Sequence, residues 1–288
     1  MELRNYQEQA ITDLSTSLAE GNKQVILQAA TGSGKTVMAA SLVKRAVDKG
    51  RSVLFLAHRR ELISQCSNKL SLFGISHGII MAGETNEAWH QVQIASVDTL
   101  RARAISSKKM RLPTADIVII DECHRSLSKT YRSIISIYEN SFILGLTATP
   151  CRGDGLGLGP VYSDMVCAPS IKTLTIEGHL VPAKYFAPSI PDLVGIKIIA
   201  GDYNKKQLAT RMDTPKLVGD VVSHWVNIAN GKTTVVFASS VQHSINLMES
   251  FQELGIKAGH IDGSTENEER DLTLKQLESG EITVLCNC

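Results

Sequence analysis

The run Gln28-Ala29-Ala30-Thr31-Gly32-Ser33-Gly34-Lys35-Thr36 limits what this chain can fold into more than any other stretch. It follows a short β-rich apolar run, Val25-Ile26-Leu27, and opens a segment, Val37 to Val47, whose apolar residues recur at helical spacing until Gly50 ends it. Strand, glycine loop and helix in that order predict a phosphate cradle. Gly32 and Gly34 let backbone N–H groups turn inward around an anion, and the helix N-terminus adds partial positive charge at the same point. Lys35 is placed to reach the β- and γ-phosphates of a nucleotide, and the Thr36 hydroxyl to ligate Mg²⁺. Ala29 departs from the general G-x-x-x-x-G-K-[ST] pattern at its first glycine. A glycine-serine turn with an unrelated lysine is the alternative, and the flanking strand and helix count against it.

At 288 residues the chain is long enough for two domains, each with its own core. A composition of 43% hydrophobic and 20% charged residues excludes a disordered polymer. The net charge of +1 excludes a polycation, so any nucleic-acid contact has to come from local loops and helix ends. The six cysteines lack paired C-x-x-C spacing; Cys286 and Cys288 stand in an apolar run without a second pair, so buried thiols are expected rather than a metal site. A reducing cytoplasm fits. Met1-Glu2-Leu3-Arg4 starts no signal sequence, and no apolar stretch approaches the roughly 20 residues of a membrane span, so no membrane partner is expected.

Along the chain, Leu3, Tyr6, Ala10, Ile11, Leu14 and Leu18 mark one side of an amphipathic helix running to Gly21. Gln7 on that helix carries the paired donor and acceptor that an adenine edge requires, although from composition alone a solvated glutamine is the better reading. Ser52 to Ala57 reads as a second buried strand, and His58-Arg59-Arg60-Glu61-Leu62 puts basic groups at its end, the functional edge of an open parallel sheet. Ile79-Ile80-Met81 and Val92-Gln93-Ile94-Ala95 are further strands, separated by a polar turn around Gly83 to Glu87. Ser96-Val97-Asp98-Thr99-Leu100 leads into Arg101 and Arg103; its small hydroxyls suit a phosphodiester backbone or a solvated helix start.

Ile117-Val118-Ile119-Ile120-Asp121-Glu122-Cys123-His124 ends a β-branched strand in two carboxylates. Unpaired acids side by side are costly, and a bound Mg²⁺ relieves them: Asp121 can hold the ion and Glu122 can orient or deprotonate an attacking water. Phe142 to Leu146 is a central strand leading into Thr147-Ala148-Thr149-Pro150, and the glycine-rich Gly153 to Gly159 after it is expected to be a mobile loop. Pro169, Pro182, Pro188, Pro191 and Pro215 punctuate a stretch of weak periodicity, placing a domain connection nearest Val166 to Pro182. From Pro215, alternating helices and strands up to Ile282–Cys286 predict a second parallel α/β unit.

Together these residues resemble the superfamily 2 helicases of the DEAD/DEAH type, closest to the restriction-subunit-like and phage-encoded DNA helicases. Ala29 to Thr36 looks like motif I, including the alanine; Asp121-Glu122-Cys123-His124 looks like motif II in its D-E-x-H form; Thr147-Ala148-Thr149 looks like motif III. The resemblance implies two tandem RecA-like P-loop domains of α/β class with parallel sheets, the second incomplete. Residues 1–168 would be the ATP-binding domain, 169–214 a connecting segment and 215–288 the N-terminal part of the C-terminal domain. It implies ATP and Mg²⁺ as cofactors, held by Thr31, Gly32, Ser33, Gly34, Lys35 and Thr36, with Arg4 and Gln7 at the adenine and Thr36 and Asp121 at the metal. Lys35, Asp121, Glu122 and His124 take catalytic roles, and Thr147 and Thr149 couple hydrolysis to movement. His58 and Arg59 fall in motif Ia, and Ser96 and Thr99 in motif Ib, both contacting the nucleic acid, with DNA favoured over RNA.

In that family motif V and the arginine-bearing motif VI follow the position reached at Cys288, and nothing marks Arg270 as the arginine finger. The expectation is an ATP-dependent helicase or translocase with feeble turnover as this chain, the finger coming from a partner subunit or a further C-terminal region. An ATP-gated clamp without independent turnover is the competing reading. A small-molecule kinase shares the phosphate loop but leaves D-E-x-H, T-A-T and the second lobe unexplained.

Overall fold

Apolar runs of about five residues alternate with amphipathic segments, and they fold as alternating strands and helices. The computed structural model describes residues 2–84, 89–151, 155, 157–186, 192–199 and 202–288. It divides into two units, residues 1–183 and 184–288. The first contains α1 (Asn5–Ala19), β1 (Gln24–Gln28), α2 (Lys35–Asp48), β2 (Val53–Ala57), α3 (Arg60–Leu72), β3 (Gly78–Ile80), β4 (Val92–Ser96), α4 (Val97–Leu100), β5 (Ile117–Asp121), α5 (Lys129–Ile135), β6 (Phe142–Thr147), β7 (Asp164–Cys167) and α6 (Ile171–Ile176). The strands form one sheet in the order β3-β4-β2-β5-β6-β1-β7, every pair parallel.

Side chains alternate across the sheet and so divide the core in two. Val25 and Leu27 of β1 and Val53 and Phe55 of β2 join Ile11, Leu14, Met38 and Val43 on one face. Ile26, Leu54 and Leu56 join Ile120, Ile134 and Tyr162 on the other. All five β2 residues are buried, which explains why its sequence is a continuous apolar run rather than an alternating one. Because every strand runs the same way, the loops after β1, β2, β4, β5 and β6 share one edge. Gln28 pairs with Thr147 and Asp121 with Leu146, so the phosphate loop and the acids leave the sheet at the same level on either side of β6.

The second unit carries a short antiparallel pair, β8 (Ile198–Ile199) and β9 (Asp202–Tyr203), followed by α7 (Lys205–Met212), α8 (Pro215–Ile228), β10 (Thr234–Phe237), α9 (Val241–Glu253), β11 (Ala258–Ile261), α10 (Asn267–Ser279) and β12 (Val284–Asn287). β10, β12 and β11 pair in that order, both pairs parallel. Trp225 of α8 meets Phe251 of α9 edge-on at 5.4 Å and donates from Nε1 to Thr234 Oγ1 at 2.7 Å, pinning both helices to β10.

The structure differs from the sequence reading in two places. β7 and α6 occupy the stretch nearest Val166 to Pro182 where the sequence suggested a connection: β7 adds a strand beside β1, and Leu174 of α6 packs with Tyr6 and Ala30. β7 is short and half-exposed, with Asp164 accepting from the Ser17 hydroxyl, so it lacks the apolar run that marks a central strand. The thiols divide: Cys66, Cys123 and Cys286 are buried, whereas Cys288 is exposed. Of the polar turn at 83–87, residues 85–87 lie outside the described residues, as do 153, 154 and 156 of the 153–159 loop. Among the described residues no helix is long and apolar enough to cross a membrane.

Candidate active site

The loop between β1 and α2 turns through two glycines at positive φ, Gly32 at 81° and Gly34 at 84°. A side chain is strained in that region, and a Cβ on Gly34 would stand 2.5 Å from Gln7 Nε2. The loop is braced from α1: the Tyr6 hydroxyl and the Gln7 amide both donate to the Ser33 carbonyl, at 2.8 and 2.9 Å. Gln7 Oε1 accepts from the Arg4 N–H at 3.0 Å, tying the Gln7 side chain back to the start of α1. Within the loop Ser33 Oγ donates to Ala30 O at 2.6 Å, and the Ala29 N–H donates to Thr147 O at 2.9 Å, tying the loop to the end of β6. Gln7 is 5% exposed, so its principal contact is with the phosphate loop itself; one amide proton and one lone pair remain for a base. The Tyr6 hydroxyl was not distinguishable in the sequence from core packing.

Across β6, Glu122 adopts φ 51°, the left-handed region, at the end of β5. A non-glycine residue there costs about 1–3 kcal/mol and clusters at functional sites. Its carboxylate lies between two partners: Lys35 Nζ at 3.5 Å from Oε1, and His124 Nδ1 at 3.3 Å from Oε2. His124 Nδ1 also stands 3.5 Å from Thr147 Oγ1. Thr147 Oγ1 in turn donates to Thr149 O and accepts from the Thr149 N–H, both at 3.1 Å. Lys35, Glu122, His124, Thr147 and Thr149 therefore form one connected chain of polar contacts along the sheet edge. Thr31 and Thr36 lie on the same loop and first helical turn, without a side-chain hydrogen bond among those described.

Asp121 accepts from the Glu122 N–H at 3.0 Å. Burial, and then the adjacent Glu122 charge, push its carboxyl above the usual carboxylate range. A cation bound beside the pair would relieve that cost. No group of three or more His, Cys, Asp and Glu among the described residues could hold a metal. A Mg²⁺ that keeps waters and phosphate oxygens, and takes only Asp121 and the Thr36 hydroxyl from the protein, fits this sparse donor set. The left-handed glycines and the N-terminus of α2 fit a polyphosphate.

The residues expected at a strand fall on the same edge, at the ends of β2 and β4. Arg59 is exposed and stands at the N-cap position just before α3. Ser96 caps α4 by accepting from the Thr99 N–H at 3.5 Å, so part of its hydroxyl capacity is structural. His58 is less exposed than a simple backbone contact requires. It lines an open cavity of about 490 Å³ with Val97, Asp98, His124, Arg125 and Tyr131, and a second of about 260 Å³ with Arg59, Glu122 and Arg125. Burial, then the charges of Arg125 and Arg59, hold its imidazole below the usual histidine range. Arg125 and Tyr131 carried no signal in the sequence, since neither stands within a motif.

The sequence matches the family described as type III restriction enzyme, res subunit, over residues 1–152, and the helicase conserved C-terminal domain over residues 215–288. It is 35% identical over 263 residues to a 51.5 kDa protein of Lactococcus phage (isolate 7-9), covering 91% of this chain and 54% of that protein. It is 30% identical over 307 residues to the putative ATP-dependent helicase IRC3 of Saccharomyces cerevisiae, covering 99% of this chain and 44% of that protein. The chain thus spans about half the length of the curated relatives it matches. Among solved structures, the Pyrococcus furiosus Hef helicase domain has the same fold, with a TM-score of 0.58 at 15% identity over 99% of this chain and 85% of that one.

Proposed function

We propose a function from one premise: this chain belongs to the type III restriction enzyme res-subunit family, within the restriction-like group of superfamily 2 helicases. In this reading it is an ATP-driven translocase that moves on nucleic acid, with DNA the favoured substrate. The observation that carries it is the continuous polar chain Lys35–Glu122–His124–Thr147–Thr149 at one sheet edge. It joins a phosphate loop to the residues expected to couple hydrolysis to motion.

ATP bound with Mg²⁺ supplies the phosphoanhydride and a Lewis acid for its oxygens. Thr31 to Thr36 cradle the phosphates, with Lys35 countering their charge, and Thr36 and Asp121 hold the metal. Arg4 and Gln7 flank the base, Gln7 through the amide proton and lone pair that its bonds to Ser33 and Arg4 leave over. Glu122 orients water and accepts its proton; its carboxylate is already positioned from both sides by Lys35 and His124. His124 then senses the state of Glu122 and passes it through Thr147 to Thr149. His58, Arg59, Ser96 and Thr99 grip the strand. The domains proposed are 1–168 for ATP binding, 169–214 as connection and 215–288 for the second lobe, and the proposed setting is the cytoplasm.

One observation favours the ATP-gated clamp as second reading. Arg270 donates from its guanidinium to the Asp262 carbonyl at 2.5 Å, so it is engaged within its own unit rather than held as a free finger. In that reading Arg270 brings no charge to the phosphates and turnover is slow. The test is ATP hydrolysis with single-stranded DNA, duplex DNA and RNA, beside a Lys35→Ala control. Slow hydrolysis that DNA stimulates and Lys35→Ala abolishes supports the motor. ATP binding without stimulated turnover selects the clamp, and hydrolysis that survives Lys35→Ala removes both.

A further inference from the structure

Gly145 lies inside β6, paired with Ile26 of β1 and Ile120 of β5. A bare backbone within a central strand forfeits packing and marks a close approach by something else. Its φ is not positive, so the missing side chain provides space rather than conformational freedom. Two side chains take up that space. A Cβ on Gly145 would stand 2.7 Å from Cys123 Sγ and 2.8 Å from both Cζ and the hydroxyl of Tyr162. Gly145, Cys123 and Tyr162 are all buried.

The notch matters because Cys123 directly follows Glu122, whose φ of 51° is strained for a residue with a side chain. Such a backbone persists only where its surroundings over-determine it. On the N-terminal side the strand does so: Asp121 pairs with Leu146, and its carboxylate accepts from the Glu122 N–H at 3.0 Å. On the C-terminal side the hydrogen bonds close the turn on itself. The Glu122 carbonyl accepts from the Arg125 N–H at 3.1 Å, and the Cys123 carbonyl from the Ser126 N–H at 2.9 Å and hydroxyl at 2.6 Å. Lys35 and His124 hold the carboxylate of Glu122 but not its backbone. What fastens the turn to the sheet is the Cys123 side chain, seated over Gly145 beside the Tyr162 ring. The Tyr162 hydroxyl has no hydrogen-bond partner among the described residues, so the shape of the ring is what holds the thiol. Tyr162 stands two residues before β7 and borders an open cavity of about 430 Å³ with Pro150 and Leu158. The chain that leaves Thr147 and Thr149 thus returns to the acid from its other side.

The geometry points to Tyr162 as a positioning residue for hydrolysis: with the bare backbone of Gly145 it locks Cys123, and so the backbone that aims Glu122 between Lys35 and His124. The inference rests on the reading of Glu122 as the acid that orients water. Misplacing such a group by about 1 Å costs on the order of a hundredfold in rate. The phosphate loop, which Tyr162 does not touch, keeps its hold on nucleotide.

The experiment measures turnover at saturating ATP, and the affinity for a non-hydrolysable ATP analogue, in the full chain and three variants. Tyr162→Ala empties the space beside the thiol, and Gly145→Ala displaces the thiol. In both, kcat is expected to fall about tenfold or more while analogue affinity stays within about threefold of wild type. Tyr162→Phe keeps the ring and is expected to retain both. Full turnover in either of the first two variants overturns the inference. So does a matching loss of affinity in both, which assigns the two residues to folding alone. A loss in Tyr162→Phe equal to that in Tyr162→Ala assigns the effect to the hydroxyl and overturns it as well. If the wild type does not turn ATP over, the hydrolytic reading fails by itself, and the placement of Glu122 is read from the His124 ring signals in NMR at one fixed pH. Signals of Tyr162→Ala that move toward those of Glu122→Gln support the positioning role; signals unchanged from wild type overturn it.

Discussion

Gly34 shows how little freedom the phosphate loop has at the level of single residues. Gly34→Ala would place a Cβ in the left-handed region and 2.5 Å from Gln7 Nε2. The expected outcome is a loss of about 1–3 kcal/mol in thermal unfolding together with loss of ATP-analogue binding, since relief of the contact displaces the Gln7 brace. Asp121 carries the opposite trade. Its carboxylate is held in a buried position beside Glu122, so Asp121→Asn is expected to raise the melting temperature at neutral pH. The gain is roughly 2–4 °C, the shift that about 1 kcal/mol produces in a domain of this size. The same substitution should abolish the effect of Mg²⁺ on nucleotide affinity; a lower melting temperature would show that Asp121 has a stabilising partner. At this scale the sequence was informative wherever chemistry requires a particular residue type, as at Lys35, Asp121 and Glu122. It was silent on the Tyr6 hydroxyl, because a tyrosine on an apolar helix face fits packing equally well.

Among the elements, the turn after β11 is held by several side-chain hydrogen bonds. Asp262 accepts from the Ser264 hydroxyl and N–H, both at 2.7 Å, and stands 3.4 Å from His260 Nε2. The Ser264 bonds are the main cause holding its carboxyl down to about 2. The folded value lies below the unfolded one of about 3.9, so the contribution is complete above that value and is lost as pH falls toward 2. Ser264→Ala should therefore shift acid unfolding of the chain, followed by circular dichroism, to higher pH while leaving stability between pH 5 and 7 less affected than that shift suggests. An acid transition that does not move would assign the turn's order to Thr265 and His260 instead. Central strands such as β2 and β5 could be read from sequence because both faces are buried over a continuous apolar run, Val53 to Ala57 and Ile117 to Ile120. β7 could not: it is a four-residue edge strand with alternating exposure, held by pairing to β1 and by the Ser17–Asp164 bond rather than by a hydrophobic run.

For the whole molecule, the sheet order explains why the site forms where it does. The phosphate loop and the acids are far apart in sequence, yet β1 and β5 flank β6 and all three run in parallel. The order of strands in the sheet could not be read from the sequence, since strand periodicity identifies strands without saying which are neighbours. The resemblance to a known family supplied the parallel sheets in advance but not their strand order, and the hydrogen bonds from α1 to the loop and the contact of His124 with Thr147 add detail that no sequence pattern carries. The central claim is that the nucleotide at this edge controls the grip on a strand. Its most direct test is the affinity of the chain for single-stranded DNA with ADP and with a non-hydrolysable ATP analogue, in wild type and Lys35→Ala. Affinities that differ at least fivefold between the two nucleotides in the wild type, about 1 kcal/mol of coupling, and converge in Lys35→Ala are the predicted result. Equal affinities in both nucleotide states would contradict the claim.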